Sequence, residues 1–332
     1  MKQRDNYYSF MKGLAIIAVL FIHTPFMSDG AAGIASRQLF TFAVALFFFL
    51  SGYFIRDEYL DTKSIMRIFI PYAIWSLLWF SYTTLKGSQP VTTWKIVNTL
   101  FFGGAFFPLY FLIVLIELKI ISPWIVRHIR KVMNGSSYKA YKDWALLISP
   151  ITLFIMYFIQ YCTHQQPLIY AQIFPIWFLF YYIGAVMKFG GFIGNTLKSL
   201  CFTLLGIYLM GLESTYINEV IKVPFWAASQ IKFSSYFYSL SFCILLMSMY
   251  RKVERDVIVR LGEMSFGIYL LHIPIMKGVT YALSSIVRIV GISNSSGVLI
   301  IRQITIVVLT LLFCYIVLVI TNRYLPSKIN RY

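Results

Sequence analysis

Ten stretches of this chain are apolar over close to the length, about 20 residues, that a 30 Å hydrocarbon core demands. They fall near 10–27, 38–55, 66–85, 106–125, 144–162, 171–188, 199–213, 231–250, 264–287 and 298–321. Inside a bilayer no water satisfies backbone N–H and C=O groups, so only helices and closed barrels can cross it. These stretches are continuous apolar blocks rather than alternating strands, which selects helices. Charged residues make up 12% of the chain, half of the ~25% usual in soluble domains. The expected fold is therefore an all-α integral membrane protein with about ten transmembrane helices. The seventh stretch is the shortest. Trp94–Phe102 is too short to span and is expected to lie at the interface or to re-enter.

The loops then assign orientation. With a cytoplasmic N-terminus, nineteen Lys and Arg fall in inward loops and six in outward ones, with four inside spans. The positive-inside rule thus places both termini in the cytoplasm and requires an even span count. The same placement explains the net charge of +17 without nucleic acid, since no exposed basic domain exists to bind it. A signal-peptide reading of the first stretch founders on His23 and Pro25, which interrupt its apolar run. The four cysteines form no CxxC and read as small buried hydrophobes. No zinc spacing, Walker loop, dinucleotide fingerprint or nucleophile elbow occurs. One transmembrane domain over 1–332 is expected, with its chemistry among the helices.

Ionisable side chains inside spans are costly and point to function by default. Lys12 and His23 share the first span. Eleven residues are close to three helical turns, so both leave one face, about 16 Å apart along the axis. His23 reads either as a proton acceptor or as a packing hydrogen bond. Lys12 taken alone reads as a snorkelling anchor. Span 2 ends in Phe47-Phe-Phe-Leu-Ser51-Gly52-Tyr53, whose small residues admit a ligand or a neighbouring helix. Lys63 and Arg67 share one helix face, suited to phosphates or to anchoring. Glu117 and Lys119 point to different faces, so Glu117 needs a partner on another helix: a histidine, a substrate hydroxyl or a structural group. His272 lies mid-membrane beside Pro274 and is a second intramembrane imidazole.

Taken in order, these segments resemble the membrane acyltransferase family 3, bacterial O-acyltransferases of cell-surface glycans. Lys12 and His23 are similar to that family's basic-x10-His signature, with Lys where many members carry Arg. Phe47–Tyr53 resembles its Phe-Phe-x-Leu-Ser-Gly-Phe/Tyr motif. Lys63–Tyr72 is similar to its basic cluster before Pro-Tyr, although the two cations here stand four apart. Pro108-Leu-Tyr-Phe-Leu112 is similar to Leu-Trp-Phe-Leu, and Ser265–Pro274 to Ser-Tyr-Gly-Ile-Tyr-Leu-Leu-His-x-Pro. The SGNH hydrolase-like domain fused to some members is not seen.

The resemblance implies a multi-pass protein of the bacterial inner membrane. It implies acetyl-CoA or another acyl-CoA as donor substrate, with no permanently bound cofactor and no metal. The acceptor is a hydroxyl of a surface polysaccharide, such as O-antigen, capsule or exopolysaccharide, or of its lipid-linked precursor. His23 is expected as the general base, with Glu117 and His272 as orienting groups. Lys12, Ser51, Gly52, Lys63 and Arg67 are expected to bind the donor. Membrane lipids are the remaining expected partners. A transporter or flippase of a lipid-linked glycan is the alternative, and a structural subunit without chemistry a third reading.

Overall fold

A computed structural model of the chain describes residues 5–24, 31–56, 59–87, 91–133, 138–165, 167, 170–190, 194–290 and 296–324. The expectations on Lys2, Arg4, Pro25, residues 134–137, Lys328 and Arg331 lie outside these residues. Among the described residues the regular structure is helical and no strand occurs.

The first helices are α1 (Asn6–His23), α2 (Ala31–Gln38), α3 (Phe42–Tyr53), α4 (Thr62–Leu85) and α5 (Thr93–Phe101). Then come α6 (Tyr110–Ile120), α7 (Ser122–Met133), α8 (Ile148–Thr163), α9 (Phe174–Lys188) and α10 (Thr196–Tyr216). The last are α11 (Pro224–Ala227), α12 (Phe233–Ser248), α13 (Val257–Glu263), α14 (Ser265–Val290) and α15 (Ser296–Tyr324). Polar residues set several starts by accepting orphan N–H groups. Asp5 accepts from Tyr7 N–H at 2.9 Å, Asp61 from Ser64 at 3.0 Å and Asp256 from Val259 at 2.8 Å.

Seven helical runs among the described residues are long and apolar enough to cross a membrane: Asn6–His23, Gly33–Tyr53, Thr62–Leu85, Trp144–Thr163, Thr196–Ile221, Ser265–Val287 and Val298–Thr321. The protein is thus multi-pass. Phe174–Lys188 and Phe233–Ser248 are apolar but shorter. The stretch 199–213 belongs to a longer run than expected, because helix continues through a π-helical turn at Ile217–Ile221. The stretch 106–125 is instead broken. Helix α6 stops at Ile120 and α7 begins at Ser122. Pro123 has no N–H to continue the ladder, and its ring collides with the carbonyl four residues earlier. The short segment at Trp94–Phe102 falls on the nine-residue α5 (Thr93–Phe101), which is not among the runs long enough to cross.

The chain divides into two compact units: residues 1–47, 195–230 and 234–332, and residues 48–194 with 231–233. In the first, α1 crosses α13 and α14 pairs with α15. The α1–α13 crossing is close because it is made of glycines. A Cβ on Gly13 would overlap the Ile258 carbonyl, and one on Gly262 the Ser9 carbonyl. In the second unit, α8, α6 and α7 pack on α9. Large apolar side chains stay exposed along the long helices, such as Leu78 on α4, Phe154 on α8, Leu204 on α10 and Val308 on α15. A bilayer covers such surfaces. Cys243 and Cys314 are buried as expected, whereas Cys162 and Cys201 are exposed, on helices with apolar outer faces. Lys232, counted with the outward loop cations, is fully buried.

Candidate active site

In the first unit, α1 runs unbroken over 18 residues, so Lys12 and His23 do lie on one continuous helix. Lys12 is half-buried and partnered. His23 is the last residue of the helix, and its neighbour Thr24 holds that end in place. Thr24 caps the helix, its N–H reaching Leu20 O at 3.0 Å and its hydroxyl donating to Phe21 O at 2.8 Å. The same hydroxyl accepts from the amide of Gln303 on α15 at 3.3 Å. The helix end that carries His23 is thereby tied to α15, far along the sequence.

Helix α14 brings the second imidazole. His272 is fully buried, and its ring centroid lies 5.3 Å from that of His23, tilted by 48°. His272 Nδ1 is 2.6 Å from the Tyr269 carbonyl. A carbonyl only accepts, so Nδ1 carries the proton and Nε2 presents its lone pair, a tautomer assigned from this contact. Among the described residues His272 Nε2 has no hydrogen-bond partner. Arg37, half-buried on α2, lies within electrostatic reach of His23. Two imidazoles thus meet at one end of α1, with the His272 ring oriented by the Tyr269 carbonyl.

The other expected residues belong to the second unit. Gly52 faces the backbone of α9: a Cβ there would overlap the Tyr181 carbonyl, and one on Gly184 the Phe49 carbonyl. The small residue is used for a close helix crossing, and Ser51 beside it is half-buried. Lys63 and Arg67 are exposed on the first turns of α4. Glu117 finds its partner on another helix, as its position required. Its carboxylate accepts the Phe174 N–H at 3.0 Å and caps the start of α9.

One polar cluster went unread in the sequence. Asp143, only 3% exposed, accepts from His128 Nε2 at 2.8 Å, from the Tyr138 and Tyr182 hydroxyls at 2.5 Å each, and from Ala145 N–H at 3.1 Å. Burial pushes this carboxyl up, but the bonds from Tyr138, Tyr182, His128 and Ala145 outweigh it and hold it below the ordinary carboxylate value. Burial, then the bond to Asp143 and its charge, pushes the Tyr138 hydroxyl up. The available signal was Asp143 itself, the lone acidic residue between Glu117 and Glu213.

Comparison with known families gives one result. A family model described as an acyltransferase domain matches residues 5–319, nearly the whole chain. No curated protein and no solved structure matches significantly.

Proposed function

The chain belongs to the membrane acyltransferase family 3, and from that premise we propose an O-acyltransferase that moves an acetyl or related acyl group from acyl-CoA to a glycan hydroxyl. The observation that carries the reading is the His23–His272 pair, two intramembrane imidazoles 5.3 Å apart at the capped end of α1. In the reaction, His23 accepts the proton of the acceptor hydroxyl as its oxygen adds to the thioester carbonyl. Collapse of the tetrahedral intermediate breaks the carbon–sulfur bond. The CoA thiolate leaves and takes the proton back from the imidazolium, yielding an ester and free CoA. His272, held by Tyr269, orients His23. The helix length from Lys12 to His23, about 16 Å, suits a pantetheine arm with its phosphates toward Lys12. Glu117 holds the start of α9 in the second unit. The acceptor is a surface polysaccharide or its lipid-linked precursor in the bacterial inner membrane.

The test uses full-length protein in liposomes with labelled acetyl-CoA and a lipid-linked oligosaccharide. Ester formation and CoA release should track each other. His23→Ala should lower both by about 10²-fold or more while insertion is unchanged. Wild-type rates from correctly inserted His23→Ala would refute the assignment. Glycan translocation without CoA release would favour the transporter reading.

A further inference from the structure

Helix α7 and the segment 138–147 build a surface that the acyl-transfer reading leaves unused. Helix α7 is two-faced. Ile125, Val126 and Ile129 are fully buried, while Arg127, Arg130 and Lys131 are exposed. The segment after it adds Lys139 and Lys142, also exposed. The carboxylate of Asp143 ties the two pieces together, holding His128 of α7 and the turn at Ala145. Aromatic rings occupy the same ground. Trp124 stacks on His128 at 5.3 Å, and Trp144 meets that imidazole edge-on at 5.2 Å. Tyr141 is 80% exposed and Trp144 58%.

Charge decides what this surface suits. Between Glu117 and Glu213 the single acidic residue is Asp143, and its side chain is fully buried. Its charge is spent inward, on hydrogen bonds. The exposed cations Arg127, Lys131, Lys139 and Lys142 therefore have no exposed carboxylate from their own stretch, while Arg130 lies over the Phe189 ring. Position decides the rest. Trp144 is the first residue of a candidate span, Trp144–Thr163, which places the surface at the water end of a membrane helix. Tryptophan and tyrosine rings favour the headgroup level, and an amphipathic helix rich in Lys and Arg lies in the interface plane.

We propose that α7 and residues 138–147 form a platform that binds the anionic phospholipid headgroups of the adjacent leaflet. The cations contact phosphates, while Trp124, Tyr141 and Trp144 seat between headgroups. The buried Asp143 keeps the two halves of the platform in register. Such a contact sets the depth at which this end of the second unit sits in the bilayer.

The test reconstitutes the full-length protein in vesicles with spin-labelled phosphatidylglycerol or phosphatidylcholine and measures the motionally restricted fraction of each. The wild type should prefer the anionic probe about threefold or more at low salt, a preference that falls with added salt. The variant Arg127→Gln/Lys131→Gln/Lys139→Gln/Lys142→Gln should bring the two probes near parity with an unchanged melting midpoint. A control removes four exposed cations elsewhere, as Arg251→Gln/Lys252→Gln/Arg255→Gln/Arg260→Gln, and should keep most of the preference. Equal loss in both variants would mean that net charge alone attracts the lipid and would overturn the proposal. Displacement of the anionic probe by millimolar CoA or pyrophosphate would overturn it too, making this a soluble-phosphate site. An unchanged preference in the first variant would do the same.

Discussion

Replacing Asp143 by alanine tests how the second unit is held at one end. The carboxylate accepts four hydrogen bonds of 2.5–3.1 Å, from two tyrosine hydroxyls, one imidazole and one backbone N–H. Each bond to a charged acceptor is worth about 1.5–3 kcal/mol net. They share one acceptor, so the values do not add. Removing one partner of a buried charged pair costs about 3–5 kcal/mol, and about 4 kcal/mol is the expected loss here. At roughly 2 °C or more per kcal/mol, the apparent midpoint in detergent should fall by about 8 °C, read at one fixed scan rate so that any irreversible step affects all variants alike. Asp143→Asn keeps the shape and one acceptor, and should lose about half as much. Tyr182→Phe should cost about 1 kcal/mol alone and almost nothing on top of Asp143→Ala. The pH dependence has a definite sign. The folded carboxyl is held below its ordinary value of 3.8, so below neutrality the unfolded chain binds its proton first. The contribution is complete above that value and is lost as pH falls through the lower folded value. Asp143→Asn should flatten that acid limb. An Asp143→Ala protein melting within about 1 °C of wild type would refute the reasoning.

Four further variants test how the helices are packed and capped. Gly262→Ala sets a methyl on the Ser9 carbonyl, a backbone atom that cannot rotate away, and should destabilise by about 3 kcal/mol in the same melting assay. Gly211→Ala, where a Cβ meets nothing within 4 Å, should instead be neutral or stabilise by up to about 1 kcal/mol. Glu117→Gln retains a carbonyl for the Phe174 N–H and should keep both transfer rate and melting midpoint. Glu117→Leu loses the cap and should cost about 1–2 kcal/mol. A Gln variant that melts normally but transfers slowly would assign Glu117 to the chemistry.

The helical, multi-pass class was legible in the residues, because apolar length is a local property that a bilayer reads directly. The family was legible too, since its motifs are short and keep their order. Lys12 and His23 could be placed on one face, because helical periodicity carries that information within a single segment. Elsewhere the local reading went too far. The stretch 106–125 looked continuous by hydropathy, yet Pro123 ends one helix and starts an amphipathic one. Gly52 left a ligand and a neighbouring helix equally open, and only the structure sets the backbone of α9 against it.

What the sequence determined by itself was each segment's affinity for lipid, its helical period and its family. Only the tertiary structure decided that His272 meets His23, that Gln303 anchors Thr24, that Glu117 caps α9 and that Asp143 is buried with four donors. The physical reason is that periodicity and hydropathy are summed over neighbours along the chain. A hydrogen bond or a ring contact is instead settled by which helices cross closely enough, and that depends on side chains far apart in sequence.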